Sequence, residues 1–145
     1  AFLNWSANGA APTLRSLRAL NKNEPEALRE MLDFLAFAPL YDVLTVNGKR
    51  YILTHAGLGH YEPGKELYDY DTDDLLWFRP ELTTRYDENA TVIFGHTPVA
   101  AFGPGYEDRM LKTGTWIDID TGAAHGGNPM LLRLDDEKAF YVSDD

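Results

Sequence analysis

The chain has 145 residues, 44% of them hydrophobic and 12% aromatic, which is enough for one ordinary globular core. Its formal charge of −10 excludes a broad basic surface for nucleic acid or anionic membrane, although a bound metal would still create a local anion site. Cysteine is absent, so disulfides, thiolate metal sites and cysteine nucleophiles are excluded. No apolar run approaches the roughly 20 residues of a membrane span, and the opening "AFLNWSANGAAPT" has no basic or apolar leader pattern, so a soluble, cytoplasmic protein is expected.

In chain order, Leu14, Leu17, Arg18 and Leu20 behind Pro12 predict a short helix that "NKN" breaks. Asn23 as N-cap, Glu26 three residues later and the stripe Leu28, Met31, Leu32, Leu35 predict a second helix, stopped by Pro39. From Tyr41 the period changes: "YDVLTV" and "KRYILTH" flank Asn47-Gly48, a pair that tolerates positive φ and favours a two-residue hairpin turn. Residues 59 to 90, rich in Tyr, Asp, Glu and Pro, read as a loop-dominated excursion with one or two short helical turns. "TVIFGH" and "TWIDID" are further short strands, and "NPMLLRLDD" with "KAFYVSD" forms a closing hairpin around Asp136-Glu137. Helices followed by strands point to an α+β or mixed layered fold.

Two of the four histidines share one context, because "YILTHAG" and "VIFGHTP" are each an apolar strand ending in His with small residues beside it. A buried strand holds such a ring rigidly at its carboxyl end, where layered α/β folds place ligand sites, and neutral imidazole suits a divalent cation. A single strand-end histidine is ordinarily a hydrogen-bonded structural residue; the matched pair His55 and His96 is what points to a metal. Their separation of 41 residues fits no compact zinc motif.

The ordered set "THAG", "LLWFRP", "FGHTP" and "IDIDTGAAHGGNPMLLRL" resembles the carboxyl-terminal half of the calcineurin-like metallophosphoesterases. The nearest likeness is to bacterial serine/threonine protein phosphatases of the phosphoprotein phosphatase type and to diadenosine tetraphosphatases. "WSANGAAPTLRSL" is similar to the segment that follows that family's third motif, so the resemblance covers nearly the whole chain. It implies a four-layer α/β/β/α sandwich of which residues 1–145 are the carboxyl-terminal portion, with two divalent metal ions in the parent enzyme, Mn²⁺ or else Fe or Zn. Carried over residue by residue, His55 and His96 bind the second metal. Arg79, with Arg85 as substitute, contacts the substrate phosphate as a catalytic residue. Trp77, in the same motif, reads as a core anchor rather than a substrate platform, and the family pattern makes the strand with Asp118 and Asp120 structural. His60 and His125 have no ligand counterpart and read as loop residues.

The family's first-half motifs, Gly-Asp-x-His, Gly-Asp-x-x-Asp-Arg and Gly-Asn-His-Asp/Glu, do not occur here. Phosphomonoester hydrolysis is extremely slow without catalysis, and paired cations that clamp the phosphoryl oxygens are the family's solution. Two histidines hold at most one ion, weakly. The expectation is therefore a fragment that is inactive alone and is completed by a missing amino-terminal half or by self-association. The leading reading is a metallophosphatase acting on phosphorylated protein or a small phosphoester, first of all a serine/threonine protein phosphatase. A dinucleoside polyphosphate hydrolase and a non-catalytic binding module of the same fold remain open beside it.

Overall fold

A computed structural model describes residues 2–7 and 9–142. The chain divides into two compact units, Ala1–Pro39 and Leu40–Asp145. The first is helical: α1 (Phe2–Ala7), α2 (Ala10–Asn23) and α3 (Pro25–Ala36). Helix α2 runs through "NKN" instead of stopping before it, so Asn23 is its last residue and not the N-cap of the next helix. The cap position falls to Glu24, which makes no side-chain capping bond; Pro25 starts α3 at the position where its missing N–H costs nothing, and Glu26 faces the helix dipole favourably. Leu28 and Met31 of the expected stripe are half-buried, whereas Leu32 and Leu35 are 49% and 57% exposed. Among the described residues, no helix is long and apolar enough to cross a membrane.

The second unit is built on a five-stranded mixed sheet. Strands β1 (Tyr41–Val46) and β2 (Lys49–Thr54) pair antiparallel across Asn47 and Gly48, whose φ angles of 51° and 78° meet the turn's demand for positive values. Strands β3 (Ala90–Phe94), β4 (Leu111–Lys112) and β5 (Trp116–Asp118) complete the sheet in the order β1-β2-β3-β5-β4. The inner pairs β2–β3 and β3–β5 are parallel and β4 is an antiparallel edge. The two-residue β4 has no sequence signal of its own; its partner β5 creates it.

Parallel pairing forces a long crossover between β2 and β3. That crossover is the predicted excursion, and it contains a 3₁₀ turn at Leu67–Asp69 and the short helix α4 (Thr72–Leu76). It covers one face of the sheet, where Ile52, Val92, Phe94 and Trp116 pack with Leu58, Tyr70, Leu75 and Tyr86. On the other face, Tyr51, Ile93 and Ile117 meet Leu132 and Leu134 around the hairpin β6 (Met130–Arg133) and β7 (Lys138–Tyr141). Glu137 fastens this hairpin to the sheet by accepting from the Lys49 ammonium at 3.1 Å, from the Tyr51 hydroxyl at 3.0 Å, and from Lys112. The architecture is thus mixed α/β with a mixed sheet, compatible with a metallophosphoesterase-type fold. The described residues supply one large sheet and a hairpin.

Candidate metal and phosphate site

Parallel neighbours end on the same side, so β2 and β3 deliver the residues that follow them to one rim. The Gly95 amide donates to the His55 carbonyl at 3.0 Å, extending the ladder one step past both strands. Here His55 Nε2 and His96 Nδ1 lie 3.1 Å apart, with ring centroids 4.8 Å apart. Metal–nitrogen bonds of about 2.0–2.1 Å, at angles between octahedral and tetrahedral, separate two cis nitrogens by roughly 2.9–3.4 Å. The observed spacing is that of a hydrogen bond between the two rings and also that of two cis ligands of one cation. Among the described residues, no cluster of three or more His, Asp, Glu or Cys side chains has metal-binding geometry, so the pair offers two positions of a coordination shell.

His96 reaches this place through unusual backbone. Its φ is 69°, and the Thr97 amide donates to the Gly95 carbonyl at 2.7 Å, closing a three-residue γ-turn of the strained positive-φ kind. Burial, then the neighbouring His55 and the Arg79 guanidinium, lower its pKa below the usual imidazole value, while the Asp120 carboxylate opposes them. A neutral ring is the form that can act as a ligand. Its Nε2 is buried without a hydrogen-bond partner.

The loop after His55 is pinned to α4: the Ala56 amide donates to Leu75 and the Gly59 amide to Asp74, both at 2.9 Å. This pairing carries the end of α4 to the histidines. The Trp77 ring stands edge-on to His96 with centroids 5.6 Å apart, and Arg79 Nη1 donates to Thr97 Oγ1 at 3.4 Å. Arg85 is occupied elsewhere, donating to the carbonyls of Leu82 and Thr84 at 3.0 and 2.9 Å. Of the two candidate arginines, only Arg79 lies beside the histidine pair.

Trp77 departs from its expected role as a core anchor, because it is 53% exposed. The short α4 buries Leu75 and Asp74 and turns the following indole outward. Asp118 is structural in position, fully buried with one oxygen accepting from the Asp120 amide at 2.8 Å. Asp120 is the neighbour of the pair that sequence reasoning misses; "IDIDTG" after a short strand is its only signal. His60 lies in its loop as expected, with Nδ1 2.6 Å from Asp74 Oδ1, and His125 is exposed in a 3₁₀ turn.

A rim of paired imidazoles with an adjacent arginine, at the carboxyl ends of parallel strands, has the donor chemistry to set a divalent cation beside a phosphate oxygen. No family model matches the chain. It is, however, similar over most of its length to curated enzymes named Bis(5'-nucleosyl)-tetraphosphatase PrpE (asymmetrical). The Geobacillus thermodenitrificans protein is 28% identical over 139 residues, covering 87% of this chain and 53% of the relative. The Bacillus cereus protein is 28% identical over 149 residues, covering 94% and 56%. The Bacillus subtilis protein is 30% identical over 150 residues, covering 93% and 57%. The chain thus spans a little over half the length of these relatives.

Proposed function

We propose that this chain carries part of the centre of a metal-dependent phosphoesterase that hydrolyses dinucleoside polyphosphates. The observation that carries the reading is the 3.1 Å approach of His55 Nε2 to His96 Nδ1 at the ends of adjoining parallel strands. Similarity to relatives named for a dinucleoside substrate ranks this activity above the serine/threonine protein phosphatase that the motifs alone favour.

In this reading His55 and His96 hold one divalent cation; two imidazole donors by themselves favour Zn²⁺, Ni²⁺ or Cu²⁺, and Mn²⁺ needs carboxylate ligands beside them. Such an ion, when bound, polarises a phosphoryl oxygen and makes water a better nucleophile. His96 stays unprotonated because burial and nearby positive charge disfavour its cation. Arg79 grips a phosphate oxygen by charge-assisted hydrogen bonding and offsets the anionic character of substrate and protein. Among the described residues no third protein ligand joins the pair, and on this proposal residues 1–145 alone are inactive.

The test is substrate preference. Full-length protein with Mn²⁺ is expected to split diadenosine tetraphosphate into AMP and ATP and to act far more slowly on a phosphoserine peptide. His55→Ala and His96→Ala should each reduce that rate by about 100-fold or more. Faster turnover of the phosphopeptide, or full activity in either variant, would overturn the proposal.

A further inference from the structure

An indole left half in water forfeits much of the burial that a large aromatic side chain ordinarily contributes. Trp77 does so at 53% exposure while its backbone is firmly held, its amide donating to the Asp73 carbonyl at 2.9 Å at the end of α4. One side of the ring is engaged edge-on with His96, and two residues further on Arg79 reaches Thr97, the neighbour of His96. The exposed indole therefore adjoins the residues that would hold cation and phosphate. The other aromatics of the excursion are placed differently. Tyr61 packs edge-on against Tyr86, Tyr70 is buried beneath the Lys65 ammonium, Phe78 is half-buried against Gly57, and Tyr68 stands in solvent with no ring contact to either histidine.

We propose that Trp77 is the stacking platform for the nucleobase nearest the bond that breaks, an inference that deepens the proposed function and rests on it. The geometry of the substrate supports it. Unequal cleavage of a tetraphosphate bridge breaks the bond next to a nucleoside-bearing phosphate, so one base lies a single ribose and phosphate away from the reaction. A central cut would insert a further phosphate between them. An enzyme of the unequal kind needs its base-binding surface within one nucleotide of the cation, and Trp77 is the exposed aromatic in ring contact with a histidine of the pair. A flat indole offers no hydrogen-bond code, so the platform selects a nucleoside over bare phosphate and discriminates little between bases.

The experiment compares AMP with ribose 5-phosphate, which lacks only the base, as ligands of Mn²⁺-loaded full-length protein by titration calorimetry. One base stacked on an aromatic side chain strengthens binding roughly 5- to 150-fold, so AMP is expected to bind at least about tenfold more tightly than ribose 5-phosphate. Trp77→Ala should erase that ratio while leaving the ribose 5-phosphate affinity unchanged, and Trp77→Phe should keep most of it. A ratio unaffected by Trp77→Ala, with ribose 5-phosphate binding still dependent on His96 and Arg79, would overturn the platform and spare the proposed function. Failure of both ligands to bind would overturn the two together.

Discussion

His96 tests whether backbone strain is what brings the two imidazoles together. Its φ of 69° within a turn closed by a 2.7 Å hydrogen bond puts an L-residue where the β-carbon is unwelcome. That conformation costs a non-glycine residue about 1–2 kcal/mol. Glycine escapes this penalty but loses about 0.5–1 kcal/mol through its freer unfolded chain. The difference predicts that His96→Gly is more stable than His96→Ala by about 1 kcal/mol in metal-free protein. For a domain of about 100 residues this corresponds to roughly 4–8 °C in melting temperature. Both variants lack one imidazole of the pair, so both should bind Zn²⁺ or Mn²⁺ much more weakly than the parent and to the same degree. Thermal unfolding in the presence of chelator, followed by metal titration, measures the two effects separately. If the alanine variant melts at or above the glycine variant, the turn is unstrained and the reasoning is wrong.

Three other perturbations probe the surroundings. Gly57→Ala combines a φ of 96° with a new β-carbon 2.8 Å from the Tyr86 hydroxyl, so a loss of about 2–4 kcal/mol is expected in denaturant unfolding; a loss below about 1 kcal/mol would refute the packing argument. Burial pushes the Asp118 carboxyl up to about 8, against the opposing hydrogen bond from Asp120. A raised folded-state pKa means stability is greatest below the unfolded carboxylate value and declines as pH rises towards 8. Asp118→Asn should therefore flatten the decline between about pH 4 and 8, and an unchanged slope would count against it. Hydrogen bonds from Lys112 first, then Lys49 and Tyr51, hold Glu137 down at about 2, so its contribution is present above pH 4.5 and is lost as pH falls towards 2. Glu137→Gln is expected to cost about 1–2 kcal/mol at pH 7, discounted because both lysine ends reach water, and nothing near pH 2; equal costs at the two pH values would refute the clamp.

Features that depend on neighbours along the chain are legible in the amino-acid sequence itself. The turn at Asn47-Gly48 follows from positive-φ tolerance, and the strands ending at His55 and His96 follow from apolar runs bounded by small residues. The helical region is legible too, but local signals misplace the junction at Asn23, because helix-compatible side chains let α2 continue until Pro25 opens a new helix. The motif order points to phosphoester chemistry, and relatives of dinucleoside tetraphosphatase name match most of the chain.

Other features are decided by tertiary structure alone. Parallel pairing of β2 with β3 closes a 41-residue separation to 3.1 Å, and the route of the crossover brings Arg79, not Arg85, to the histidines. Burial of Asp118 and exposure of Trp77 reverse what their side-chain chemistry would suggest singly. Dihedral preference and hydrophobic period are properties of a short window of chain, whereas solvent exposure and the distance between two rings depend on contacts between residues far apart in sequence.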